Sequence, residues 1–120
     1  MQQTGNTNQW AYNYWCSPVG NNTATPGNES ARVGLIDESM GLTNSNNANF
    51  TSDYNGTASP LTISNRWLYT FVVSDEYGEW NGLDETTAIA PGLGFTMKGM
   101  GSTLDPGASS QQYDFRGKPN

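Results

Sequence analysis

The chain has 120 residues, 34% of them hydrophobic, and a formal net charge of −6 at pH 7. This length suffices for one domain with a modest core, and no apolar run approaches the length that a membrane-spanning helix needs. The five basic residues are scattered singly, so we expect no nucleic-acid partner and no membrane insertion or binding to an anionic membrane surface.

The first predicted strand covers about residues 9–16, where bulky aromatics alternate with smaller residues. Successive side chains of a strand point to opposite faces, so Tyr12 and Tyr14 share one face and Trp15 lies on the other. Cys16 lies on the same face as the two tyrosines. As the only cysteine of the chain, it is expected to be a small buried hydrophobe and not a reactive thiol.

The middle of the chain gives weaker signals. Residues 33–36 form a short apolar run that fits either a strand or a single helical turn. Residues 41–60 are almost wholly polar, and such a long structureless stretch indicates either a functional loop or a misassigned element. Asn55 and Gly56 within it are a turn signal.

Three further strands are predicted at about residues 66–74, 93–98 and 111–116. The strand at 66–74 has Trp67, Tyr69, Phe71 and Val73 on one face and Leu68, Thr70 and Val72 on the other. Apolar residues on both faces predict a central strand that is covered on both sides. The predicted fold is therefore all-β, an antiparallel β-sandwich-like module with long polar loops and little helix.

The residue types exclude most catalytic chemistry. The chain has no histidine, which removes Ser-His and Cys-His nucleophilic pairs, the usual zinc sites and the usual general base near neutral pH. A single cysteine cannot form a thiolate metal site. We therefore predict that the protein is not an enzyme and holds no catalytic cofactor.

An acidic segment near residue 80 is a candidate metal site. It contains Asp75, Glu76, Glu79, Asp84 and Glu85. Carboxylate oxygens are the ligands that calcium prefers, and crowded carboxylates repel one another in the absence of a cation. The EF-hand ladder is missing, and the alternative interpretation is a solvated turn that binds nothing.

The aromatic residues suggest a second kind of site. Aromatic rings stack on the apolar faces of sugars, while amide and carboxylate groups hydrogen-bond their hydroxyls. The candidate carbohydrate-binding residues are Tyr77, Trp80, Asn81 and Asp84, with Trp80 the aromatic most expected to be exposed. The alternative is that the aromatics of period two are core residues packed between sheets.

Composition also bears on location. Abundant Asn, Thr, Ser and Gly with few lysines are typical of exported bacterial surface proteins. The N-terminus lacks the charged start and apolar stretch of a signal peptide. We therefore expect residues 1–120 to be a single β-rich module excised from a longer secreted protein.

Four runs of the chain resemble a region of large secreted proteins. They are YNYWCSPVG (residues 12–20), PLTISNRWLY (60–69), PGLGFTMKG (91–99) and YDFRGKPN (113–120). This combination resembles adhesin-like surface proteins of Bacteroidota that are exported by the type IX secretion system. The resemblance implies an extracellular or cell-surface β-module but supplies no ligand or catalytic residues.

The expected function is accordingly a non-enzymatic structural or adhesion module, and the alternative is a carbohydrate-binding module that uses exposed aromatics. Expected partners are other surface or matrix components and glycans. Because the edges of an excised module lack their natural neighbours, self-association through β edges is also expected.

Overall fold

The computed structural model describes residues 1–6, 10–21, 30–71, 80–100 and 110–119. Within them the chain forms thirteen short strands and two 3₁₀ turns. The strands are β1 (Gln2–Asn6), β2 (Tyr12–Cys16), β3 (Val19–Gly20), β4 (Ile36–Ser39), β5 (Ser45–Asn47), β6 (Asn49–Thr51), β7 (Thr57–Ala58), β8 (Leu61–Ser64), β9 (Tyr69–Phe71), β10 (Trp80–Gly82), β11 (Gly94–Lys98), β12 (Ser110–Phe115) and β13 (Lys118–Pro119). The 3₁₀ turns are Val33–Leu35 and Asn65–Trp67.

Two antiparallel sheets of four strands form the body of the protein. The first sheet has the order β1-β12-β4-β5, and the second has the order β10-β9-β11-β2. Two smaller groups flank them: the pair β13-β3 and the set β6-β8-β7, in which β6 and β8 run parallel. The all-β, sandwich-like prediction is confirmed, and no helix in the described ranges is long and apolar enough to cross a membrane.

The aromatic part of the core lies between the two large sheets. Trp15 of the second sheet packs edge-on against Tyr113 of the first sheet, with ring centroids 5.3 Å apart, and its centroid is 5.7 Å from that of Phe115. All three side chains are buried. The inner residues of β11, Phe95 and Met97, complete the contact from the second sheet. Buried aromatic rings thus supply a large part of the apolar area of this small core.

The alternation predicted for the first strand is confirmed on both of its faces. Trp15 is 8% exposed, whereas Tyr12 and Tyr14 are 43% and 75% exposed. The prediction that Cys16 is buried is wrong, because Cys16 shares the tyrosine face and that face is open to solvent.

The strand predicted at 66–74 is corrected in two respects. Trp67 lies in a 3₁₀ turn, and the strand β9 begins only at Tyr69. Strand β9 is central in its sheet, as predicted, but only the face with Thr70 is covered by the core; Phe71 on the other face is 41% exposed. Residues 72–79, which include the end of the predicted strand, lie outside the described part of the chain.

The polar segment 41–60 is not a structureless loop. It contains β5, β6 and β7, which pair with β4 and β8. These strands have two or three residues each, too few for an alternation of hydrophobicity to be visible in the sequence. The run at 33–36, for which the sequence left both a helical turn and a strand open, contains one after the other. It forms a 3₁₀ turn that is followed by the start of β4.

Candidate functional site

The outer face of the second sheet, on the side away from the core, carries a shallow groove along β11. Because side chains alternate in a strand, the outer residues of β11 are Gly94, Thr96 and Lys98. Gly94 and Thr96 are too small to rise far above the sheet, so they form the floor of the groove. The four-residue separation of Gly94 and Lys98 makes this floor about 13 Å long.

Bulky rings on the neighbouring strands form the walls of the groove. We call Tyr12, Tyr14, Tyr69, Phe71 and Trp80 the aromatic face. In the strand register, Tyr14 and Tyr69 lie on either side of Thr96. Phe71 and Trp80 lie opposite each other on β9 and β10, with ring centroids 5.0 Å apart. Large residues on β2, β9 and β10, together with small residues on β11, form the groove on the outer face of the sheet.

Two adjoining cavities occupy the groove. One has a volume of about 290 Å³ and the other about 170 Å³, and both are lined by Tyr14, Trp80 and Thr96. Trp80 is 45% exposed. None of the described residues that line these cavities is charged. The groove therefore offers ring faces and tyrosine hydroxyls to a ligand.

A third cavity, of about 410 Å³, continues the groove at the Lys98 end of β11. We call it the end pocket; its lining residues are Trp10, Tyr12, Tyr54, Asn55, Trp67 and Lys98. Tyr12 belongs both to this pocket and to the groove. Trp10 is 73% exposed and Tyr54 is 63% exposed, so this pocket is also open to solvent.

Lys98 is held in the end pocket by aromatic rings and by neutral oxygens. Its Nζ lies 4.9 Å from the ring centroid of Trp67 and 5.8 Å from that of Trp10, within the range of cation–π attraction. The ammonium group donates hydrogen bonds to the carbonyl oxygen of Tyr54, at 3.2 Å, and to Oδ1 of Asn55, at 2.9 Å.

Partial burial affects the titration of this end of the groove. It lowers the pKa of Lys98, because the charged ammonium loses some of its hydration. Burial also raises the pKa of Tyr12, and the nearby phenols Tyr69 and Tyr14 contribute in the same direction. The raised pKa keeps Tyr12 protonated at neutral pH, so its hydroxyl group can act as a hydrogen-bond donor.

The structure places only one described member of the predicted carbohydrate site in the groove. Trp80 lies in its wall and is exposed, as predicted. Asn81 and Asp84 are not among the described residues that line the groove. Asn81 is adjacent to Trp80 in β10, so alternation turns it to the opposite side of the strand. Asn81 therefore does not line the groove, Tyr77 lies outside the described residues, and the predicted ligand-binding set stays a prediction.

The described members of the acidic segment are already hydrogen-bonded within the protein. Oδ1 of Asp84 accepts hydrogen bonds from the backbone N–H and hydroxyl groups of both Thr86 and Thr87. These bonds favour the carboxylate and lower the pKa of Asp84. Oε2 of Glu85 accepts a hydrogen bond from Asn65 at 2.8 Å. Asp84 thus closes a turn, independently of any ligand.

The calcium site stays a prediction. Asp75, Glu76 and Glu79 lie outside the described residues. Within the described part of the chain, no group of three or more His, Cys, Asp and Glu side chains is arranged to hold a metal ion.

Most of the groove was missed as a site by the sequence analysis. The sequence predicts all three tyrosines of the groove, Tyr12, Tyr14 and Tyr69, as strand aromatics, and it predicts coverage on both faces only for the strand that contains Tyr69. Lys98 was treated as an isolated cation, and its meeting with Trp10 depends on how strands pair. The signal for the groove is that small residues alternate along β11 while the neighbouring strands carry large rings. This signal can be recognised only when the order of the strands in the sheet is known.

Comparisons with protein-family models, with curated proteins and with solved structures give no match to this chain. The function is therefore inferred from the residues of the groove.

Proposed function

We propose that this protein is a non-enzymatic carbohydrate-binding module of a secreted or cell-surface protein, and that the groove along β11 holds the sugar chain. The observation that carries the proposal is the exposure of the aromatic face, with Tyr14 75% and Trp80 45% exposed. Large rings left open to water on a sheet face are a cost unless they meet a partner.

The chemistry of the groove suits a carbohydrate. A pyranose ring has apolar C–H faces and a rim of hydroxyls, so it needs ring faces to stack on and neutral hydrogen-bonding groups nearby. Tyr14 and Trp80 supply ring faces on opposite walls, and the phenol groups of Tyr12 and Tyr69 supply neutral donors and acceptors. Tyrosine and tryptophan present such area with few rotatable bonds, which limits the entropy lost on binding.

Composition and the resemblance to secreted adhesin-like proteins support the cellular setting of the proposal. In that setting, glycan binding would give an adhesion module its adhesive contact. No catalytic role is proposed, because the described residues that line the groove include no carboxylate that could act as acid, base or nucleophile.

The test is binding of the purified protein to an array of microbial and plant glycans, followed by titration calorimetry with the best oligosaccharide. We expect Tyr14→Ala and Trp80→Ala each to weaken binding about tenfold or more, which corresponds to the loss of about 1.4 kcal/mol or more. Leu42→Ala is the matched control, since Leu42 is 94% exposed and lies between β4 and β5 of the other sheet.

An array without any binder would overturn the proposal. Protection of the aromatic face by a second copy of the chain, detected as a concentration-dependent dimer that Tyr14→Ala dissociates, would also contradict it. That outcome would instead favour a purely structural role, since exposed Tyr and Trp are also enriched in protein interfaces.

A further inference from the structure

We infer that the end pocket binds an anionic substituent of the glycan, a carboxylate or a sulfate ester, so that the preferred ligand is an acidic polysaccharide. This inference rests on the proposed function and adds the class of sugar to it. The observation that carries it is the position of Lys98 at the end of the groove, together with the neutral character of its contacts with the described residues.

Arg116 is a cation that is paired within the protein and serves as a comparison for Lys98. Arg116 lies 2.7 Å from a carboxylate oxygen of Asp114 and 3.8 Å from one of Asp37, so its charge is neutralised within the protein. Lys98 makes no such ion pair in the described part of the chain; its acceptors are a carbonyl and an amide oxygen. The protein has eleven acidic residues, yet Lys98 lies among aromatic rings and neutral oxygens.

An ammonium group has three donor positions, and the two neutral acceptors use two of them. The rings of Trp10 and Trp67 hold Lys98 from the side. A ligand that approaches along the groove from Thr96 therefore meets the ammonium group at the point where the aromatic wall ends.

A second cation lies beside the same pocket. The guanidinium carbon of Arg66 is 4.4 Å from the ring centroid of Tyr54, and Arg66 Nε donates a hydrogen bond to the carbonyl oxygen of Ser52 at 3.3 Å. Among the described residues, Arg66 also lacks an ion pair with a carboxylate. Two cations that make no ion pair with a described carboxylate therefore lie near one pocket of an acidic protein.

The experiment compares three sets of oligosaccharides of equal length: oligogalacturonates, sulfated galactan oligosaccharides and neutral galactan oligosaccharides. We expect the wild-type protein to bind at least one anionic set about tenfold more tightly than the neutral set, because a hydrogen bond between two charged groups is stronger than one between neutral groups. Higher affinity for either anionic set supports the inference, and the preferred set identifies the substituent. The anionic preference should decrease as salt is raised from 50 to 500 mM, about a threefold change in screening length.

Lys98→Met retains most of the length of the apolar stem but removes the charge. It should abolish the preference for anionic ligands and change neutral binding by less than about twofold, whereas Lys98→Arg should keep the preference. Arg32→Gln is the matched control, since it removes the same charge at an exposed position that is not among the lining residues of the end pocket.

Two results would overturn the inference while leaving the proposed function standing: equal affinity for neutral and anionic sets, or an equal loss of anionic binding in Lys98→Met and Arg32→Gln. The second would show an effect of net charge alone. If the protein binds none of the three sets and no other glycan, both proposals are overturned.

Discussion

The two faces of the β10-β9-β11-β2 sheet carry similar aromatic side chains in opposite environments. On the inner face Trp15 and Phe95 are 8% and 3% exposed, whereas on the outer face Tyr14 is 75% exposed. The ring of Trp15 packs edge-on against Tyr113 of the opposing sheet. The outer rings instead leave a groove between them, because the strand between the walls presents Gly94 and Thr96.

Under the proposed function, an aromatic residue in a strand has two distinct uses in this protein. An inner ring is fitted into a closed arrangement and contributes free energy of folding through the area that it buries. An outer ring contributes little to folding and remains available for binding. Substitutions on the two faces should therefore separate stability from ligand binding.

The largest contrast is expected between Trp15→Ala and Tyr14→Ala, which are adjacent in β2. Trp15→Ala should reduce the free energy of unfolding by about 3–5 kcal/mol, because it leaves a large cavity against Tyr113 and Phe115. Tyr14→Ala should change it by less than about 0.5 kcal/mol. Chemical denaturation followed by circular dichroism measures both, and similar losses in the two variants would show that the two faces are equally covered.

A smaller contrast is expected for two glycines. A Cβ added at Gly5 would lie 2.6 Å from Cζ2 of Trp15 and 2.9 Å from Cε2 of Tyr113, whereas one added at Gly82 would meet nothing closer than 4.0 Å. Gly5→Ala should therefore destabilise the protein by about 1–3 kcal/mol through overpacking.

Gly82→Ala is the control for that substitution. Since Gly82 lies on the exposed side of β10, the added methyl group should be neutral or should stabilise the fold by up to about 1 kcal/mol by restricting the unfolded chain. An unfolding midpoint of Gly5→Ala equal to that of the wild type would mean that β1 does not pack as closely over Trp15 as described.

The sequence indicated which side chains share a face but not which faces are covered. The period of two placed Trp15 opposite Tyr14 correctly, because alternation is a local property of a strand. Coverage depends on which other sheet packs against that face, and Tyr69 and Tyr113 give no sign of this in their neighbouring residues. The end pocket was equally hidden, since Lys98 meets Trp67 and Trp10 only through tertiary structure.

The acidic segment illustrates a related limit. Clustered carboxylates suggested a shared ligand, yet Asp84 is engaged by the threonines that follow it. An Asp followed closely by Thr residues can form local hydrogen bonds of this kind in place of binding a ligand. The composition of a loop thus indicates which groups can form hydrogen bonds or bind a cation, but it does not indicate whether their partner is a ligand or the protein itself.

The smallest effect at neutral pH concerns the hydroxyl group of Tyr113. It is buried between the two large sheets, and the described residues offer it no hydrogen-bond partner. Tyr113→Phe should therefore be neutral or should stabilise the fold by about 1 kcal/mol, since it removes a buried polar group that makes no bond. Tyr14→Phe on the outer face is the matched control and should leave stability unchanged.

The same pair of variants has a distinct dependence on pH. Burial raises the pKa of Tyr113 far above its usual value, whereas an unfolded tyrosine ionises near pH 10. Between these two pKa values the unfolded chain loses a proton that the folded protein keeps, so the contribution of Tyr113 to stability, complete below about pH 10, decreases as pH rises. The difference in free energy of unfolding between the wild type and Tyr113→Phe is compared at two pH values. At pH 11 it should be about 1.4 kcal/mol less favourable to the wild type than at pH 8. Urea denaturation at the two pH values measures this, and a difference that does not change with pH would place the Tyr113 hydroxyl in contact with water.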